Sequence, residues 1–274
     1  MIPIRDDAPH YTTPWVNYFL IALNTAVFLF IELPQSPRHL NNLFFTFGMV
    51  PAHLTQGLQT GAIAAALLPV VTSMFLHAGW LHIIFNMWWL WIFGDNVEDW
   101  LGHFPYLLFY LLSGLGAAIV HILFNLGSKV PSVGASGAIA GVMGAYFVLF
   151  PTARVLTLVP VLPILISTTW LLSPPARALA LVLFLFMLLI WLVFPSARVL
   201  RSIFLLFFWL PAWLILGYWF VLQFLSGAAT SMAPAGQGSA GGVAVWAHVG
   251  GFLTGVVMIK LFPRRETRYS SAWR

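Results

Sequence analysis

Cysteine is absent from all 274 residues, and charge is scarce: seven acids and twelve bases make up 7% of the chain. Without cysteine there is no disulfide, no thiolate metal ligand and no thiol nucleophile, and redox chemistry says nothing about the compartment. So little charge excludes an ordinary soluble globular domain. What fills the sequence instead is apolar: 61% of residues are hydrophobic, with 13 Trp and 24 Phe. This composition predicts an all-α polytopic membrane protein in a lipid bilayer. The start, MIPIRDDAPHYTTP, lacks the pattern of a cleavable signal, so the first apolar run is expected to remain as a helix. The formal net charge of +5 would suggest nucleic acid in a soluble chain. Here Arg264, Arg265, Arg268 and Arg274 follow an apolar segment, which predicts anchoring against anionic lipid and no nucleic-acid partner.

A bilayer-spanning helix needs about 20 apolar residues. Runs that meet or approach this lie at about 15–33, 80–97, 104–126, 134–151, 202–225 and 243–262, which predicts six core helices in a single membrane domain. Two further runs, 155–172 and 178–194, are separated by SPPAR at 173–177 and interrupted by Pro160 and Pro163. They predict an extra apolar hairpin between the fourth and fifth core helices. The repeat FPTARVL (150–156) and FPSARVL (194–200) supports an even number of crossings between its copies. Arg5, Arg154, Arg198, Arg201 and the C-terminal arginines then share one face, which predicts cytoplasmic termini in a bacterial-type plasma membrane. In that frame residues 34–79 form an outer-face loop region with interfacial helical pieces. Residues 226–242, rich in Gly, Ser and Ala, form a second outer loop, and 263–274 is a basic cytoplasmic tail.

Polar groups inside apolar helices are costly, so each is a functional candidate. Four stand out: His82, Asn86, Ser136 and His248. His82 and Asn86 are four residues apart and share a helix face, with His77 just before them. Ser136 is followed by Gly137, Gly141 and Gly144, and His248 by Gly251 and Gly255, so these two helices are expected to pack closely. At about 1.5 Å per residue, all four groups lie within roughly 10 Å of the outer helix ends and can meet at one level. Ser136 can attack a carbonyl, His248 can take its proton, and His82, Asn86 and a backbone N–H at Ser136 can donate to an oxyanion. A carboxylate to orient His248 is hard to find, since only Glu32 of the seven acids is near the outer face. A Ser–His dyad is therefore the economical reading. Each residue alone also has a bland explanation: Ser136 as a small packing residue, Asn86 as interhelical glue, the histidines as hydrogen-bonded core groups. Likewise FGDNVEDWLG (93–102) reads as a structural cap or turn. Zinc is disfavoured, because HAGWLH lacks the spacing and glutamate of HExxH. Haem or a histidine proton relay would need further intramembrane ligands or acids.

Taken together, HAGWLHIIFN (77–86), GASG (134–137) and AHVGGFLTG (247–255) resemble, in order, the motifs of the rhomboid intramembrane serine proteases. FGDNVEDWLG and LPAWLILGYWFVLQFLSG (210–227) are similar to two further segments of that family, so the resemblance spans nearly the whole chain outside 155–194. It implies Ser136 as nucleophile, His248 as general base, and His82 and Asn86 as oxyanion donors. Gly134 and Gly137 would shape the site and His77 support it, with no metal and no cofactor. The implied substrates are transmembrane proteins cut in or next to their helices, and the loop at 226–242 would match a mobile cap. The alternative is a catalytically silent binder of membrane proteins. The sequence names neither a substrate nor an oligomeric state. One departure matters: some relatives place an aromatic against the catalytic histidine four residues after the serine, and here that residue is Ala140.

Overall fold

Trp15 opens α1 (Trp15–Val27), which widens into a π-helical turn at Phe28–Glu32, so the first apolar run is one long helix. The computed structural model describes residues 1–159, 182, 206–232 and 244–263. Three short helices follow, α2 (Pro37–Phe47), α3 (Pro51–Thr60) and α4 (Ile63–Thr72). A 3-10 turn at Ser73–Phe75 leads to α5 (Trp80–Leu101), and the chain bends by 82° between the two. Next come α6 (His103–Phe124) and α7 (Ser136–Leu149), then α8 (Ala212–Met232) and α9 (Val245–Met258). The expected helical membrane architecture is present, with all six core helices in order.

Small residues line the contacts among α6, α7 and α9. On α6 the residues Ser113, Gly114, Ala117 and Ala118 turn inward, while Phe104, Ile119 and Leu123 are exposed. Small side chains let backbones approach, and large apolar ones face outward as lipid-facing groups do. Among the described residues α9 packs most heavily on α7 and α6. Cβ atoms on Gly251 and Gly255 would overlap the carbonyl oxygens of Gly137 and Gly141, so α7 and α9 touch backbone to backbone, as the glycine spacing predicts.

At the opposite end of α1, Glu98 is wholly buried and its carboxylate accepts the backbone N–H groups of Val16 (3.0 Å) and Asn17 (2.7 Å). It caps the start of α1 from another helix, where free N–H groups and the helix dipole favour a negative charge. Asp99 accepts the Tyr11 N–H and the Thr12 hydroxyl, and Asn96 donates to the carbonyl of Ala8. The polar segment 93–102 is thus a structural cap, as its composition suggests.

Helix lengths depart from the expectation. Among the described residues three helices are long and apolar enough to cross a membrane, Trp15–Glu32, His103–Phe124 and Ala212–Met232, and the bent pair Ile63–Phe75 with Trp80–Leu101 adds a fourth. The helices that carry Ser136 and His248 have only 14 residues each. At about 1.5 Å per residue they span about 21 Å, short of a hydrocarbon core of about 30 Å. A helix of that length cannot reach both faces of the hydrocarbon core.

The chain also holds a small sheet that the apolar runs concealed. Strands β1 (Ile2–Asp6), β2 (Arg154–Val159) and β3 (Leu206–Pro211) pair antiparallel in that order, with Arg154 opposite Pro211 and Leu158 opposite Ile2. Pro3 and Pro211 sit on the outer strands, where a missing N–H is tolerated. The start of the expected hairpin at 155–172 is therefore strand through Val159, and its remainder lies outside the described residues. The fifth core helix begins at Ala212 rather than 202, because Leu206–Pro211 is strand, and it continues to Met232 through the start of the expected loop at 226–242. Residues 233–243 and the basic tail at 264–274 also lie outside the described residues. The chain divides into two units, Met1–Asp7 with Arg154–Pro211, and Ala8–Ala153 with Ala212–Arg274. Every candidate site residue belongs to the second.

Candidate active site

The backbone contact between α7 and α9 brings two side chains together. Ser136, the first residue of α7, and His248, in the first turn of α9, meet with 2.7 Å between the serine Oγ and the imidazole Nε2. His248 is 8% exposed and Ser136 is half-buried. A neutral imidazole with a free Nε2 can accept the serine proton, which makes Oγ a nucleophile. Because Ser136 opens its helix, unpaired backbone N–H groups and the positive end of the dipole lie beside it.

The other nitrogen of His248 is also held. Its Nδ1 lies 2.9 Å from the side-chain carbonyl of Gln223 on α8, and the Trp219 ring is centred 5.6 Å from the imidazole. Neither residue was among the candidates read from sequence. Their signal was present, since Gln223 is an isolated amide in an apolar run and an intramembrane polar group is costly. It also falls on the inward stripe that contains Leu216 and Gly227. Trp219 supplies from α8 the aromatic neighbour that Ala140 cannot provide.

His82 projects from the first turn of α5 towards Gly134. Its Nδ1 accepts the Ala78 backbone N–H at 3.3 Å, so in the neutral ring the proton sits on Nε2. A Cβ on Gly134 would lie 2.8 Å from that Nε2 and 3.6 Å from Ser136 Oγ. The φ of Gly134 is +132°, a backbone state open to glycine, so no side chain comes between Ser136 Oγ and His82 Nε2 there. Asn86, one turn along α5, is 7% exposed, and its Nδ2 has no hydrogen-bond partner among the described residues. It is a buried donor in reserve. Gly137 is buried against Ala117 of α6.

Glu32 does not reach His248. It is buried and accepts the His77 backbone N–H at 2.9 Å, which ties the end of the first helix to the segment before α5. His77 in turn meets His82 edge to face, with centroids 5.1 Å apart. Among the described residues no three His, Asp or Glu side chains gather to hold a metal ion.

The model of the rhomboid domain matches residues 64–203, half of the chain. The chain belongs to the rhomboid family. It is 34% identical over 146 residues to presenilin-associated rhomboid-like protein A, mitochondrial, of Danio rerio, covering 52% of this chain and 35% of that protein. Against rhomboid protease GluP of Bacillus subtilis it is 35% identical over 132 residues, 48% of this chain and 24% of that one. Against RHOMBOID-like protein 6, mitochondrial, of Arabidopsis thaliana it is 46% identical over 76 residues, 28% and 24% of the two chains. The matches thus span about a quarter to a third of these rhomboid relatives. The rhomboid-domain match takes in His77, His82, Asn86 and Ser136 and ends before Gln223 and His248. Its membership and its apolar helices make the chain an integral membrane protein. Relatives named as mitochondrial give no support to the expected bacterial-type plasma membrane.

Proposed function

We propose that this protein is an intramembrane serine protease that hydrolyses peptide bonds in or next to transmembrane helices of other membrane proteins. The observation that carries the reading is the 2.7 Å contact between Ser136 Oγ and His248 Nε2. In the first step Oγ attacks the scissile carbonyl carbon while Nε2 takes the hydroxyl proton. The negative charge passes to the carbonyl oxygen, where His82 Nε2–H, Asn86 Nδ2–H and backbone N–H groups of the first turn of α7 stabilise it. Collapse breaks the C–N bond, and the imidazolium returns its proton to the leaving amine. Water, deprotonated by the same histidine, then releases the acyl group from Ser136. The short α7 favours a water-accessible pocket below the membrane surface. We orient that pocket towards the outer face, with both termini on the arginine-rich side.

The test compares wild type with Ser136→Ala in detergent, using a fluorophosphonate probe and a transmembrane substrate. Wild type should be labelled and should cut, EDTA should not change the rate, and the variant should do neither. Equal labelling of both proteins would refute the proposal. Client association that survives Ser136→Ala, with no product from wild type, would assign the cavity to a silent binder instead.

A further inference from the structure

We infer that Gln223 is a positioning residue for His248: its side-chain carbonyl holds the imidazole in the Nδ1–H form, which leaves Nε2 as the atom that takes the Ser136 proton. The inference rests on the protease reading above. A neutral imidazole carries one proton on either nitrogen, and which one is set by the hydrogen bond the other makes. Only the form protonated on Nδ1 can act as base through Nε2. Gln223 Oε1 stands 2.9 Å from Nδ1, and as a carbonyl oxygen it can only accept, so it selects that form. Were the amide reversed, its NH₂ would donate to Nδ1, the ring proton would move to Nε2, and no lone pair would face the serine 2.7 Å away.

The bond serves through the cycle. When His248 becomes an imidazolium, Nδ1–H still has its acceptor and Nε2–H is free to protonate the leaving amine. A carboxylate would stabilise the imidazolium more, but a charge among apolar helices carries a desolvation cost that an amide avoids. Trp219 lies one turn before Gln223 on the same face of α8, and its ring rests against the imidazole. The ring packing limits tilt and the amide limits rotation, so two residues of one helix define the orientation of a base carried by another. The chemistry needs no intramembrane acid.

Two variants separate the hydrogen bond from the packing. Gln223→Leu keeps an apolar body and removes the acceptor; Gln223→Glu keeps an acceptor at the same reach, ionised or not. With a transmembrane substrate, Gln223→Leu should lower kcat about 10- to 100-fold, the value of one lost hydrogen bond to a charged ring, while KM stays within about threefold. Gln223→Glu should keep kcat within about threefold of wild type. Independently of activity, ¹⁵N spectra of histidine-labelled protein in micelles should show His248 protonated on Nδ1 in wild type and Gln223→Glu, and not in Gln223→Leu. An unchanged kcat in Gln223→Leu, an equal loss in both variants, or the same tautomer in Gln223→Leu as in wild type overturns the inference. A wild type inert to fluorophosphonate refutes the protease reading, and the tautomer spectra still decide the role of Gln223.

Discussion

Adding one methyl group at Gly251 should separate Ser136 from His248, the dyad proposed above, without unfolding the protein. Gly251 lies three residues after His248, and its missing side chain faces the backbone of Gly137, the residue after Ser136. A Cβ there would stand 2.9 Å from the Gly137 carbonyl carbon and 3.3 Å from Ala140 Cβ, with the Gly137 oxygen closer still. Carbon atoms in contact prefer about 3.5–4.0 Å, so in Gly251→Ala α9 must retreat from α7 by about 1 Å. The obstacle is backbone and cannot rotate away. A retreat of that size stretches the 2.7 Å Ser136–His248 contact beyond hydrogen-bonding range. Misplacement of a catalytic pair by about 1 Å costs about 100-fold in rate. Overpacking a core costs about 1–3 kcal/mol, which in a chain of this size lowers the melting midpoint by about 2–12 °C. The assay is the rate of fluorophosphonate labelling in detergent beside a thermal melt, with Leu253→Ala on the exposed side of the same helix as control. Gly251→Ala should be labelled about 100-fold more slowly and still show a cooperative melt lowered by that amount, while the labelling rate of the control stays within about twofold. Labelling of Gly251→Ala within about threefold of wild type would show that the glycine contact does not set the distance between serine and histidine.

Gly134→Ala should also lower kcat, by about 10- to 100-fold, because the methyl group fills the hollow beside His82 Nε2 and the φ of +132° strains any residue with a Cβ. Its substrate cleavage should fall far more than its thermal stability, and a kcat within about threefold of wild type would remove Gly134 from the site. Glu98→Ala should act the other way. It strips the buried cap from the first turn of α1 and leaves two N–H groups without their acceptor, costing about 2–4 kcal/mol. The melting midpoint in detergent should drop by roughly 4–16 °C, while folded protein keeps its labelling rate; a midpoint within about 2 °C of wild type would show that water serves the cap equally well.

The helices were legible because bilayer thickness sets how long an apolar run must be. The order of the six core helices follows directly from those runs. Their ends were not, since α7 and α9 stop at 14 residues while apolar residues continue beyond them. The strands escaped for a related reason. Val155–Val159 is apolar except for Thr157, and Leu206–Trp209 is apolar throughout; stretches this short and this apolar carry no periodicity that separates strand from helix. Pro211 was the available mark, a break with Ala212 opening the helix behind it. The glycine pattern was the more reliable guide, because it reports a backbone approach rather than a length, and the close packing of α7 on α9 was readable from spacing alone.

The polar residues of the site were conspicuous for the reason that makes them expensive: each stands alone in an apolar run. Gln223 meets the same criterion, but it is an amide and not the carboxylate that the triad of soluble enzymes leads one to expect beside a catalytic histidine. Glu32, the acid expected near the outer face, instead accepts the His77 backbone N–H. The triad of soluble enzymes misleads here, since its carboxylate works in a setting where charge is cheaper. What the base needs from a third group is an acceptor that decides which nitrogen carries the proton, and any fixed carbonyl meets that need. In a membrane the neutral acceptor has the advantage, because it holds the tautomer without bringing a charge that must itself be solvated or paired. The residue to look for is then a lone amide on the inward stripe of a helix that touches the histidine, which is where Gln223 lies, one turn beyond Trp219.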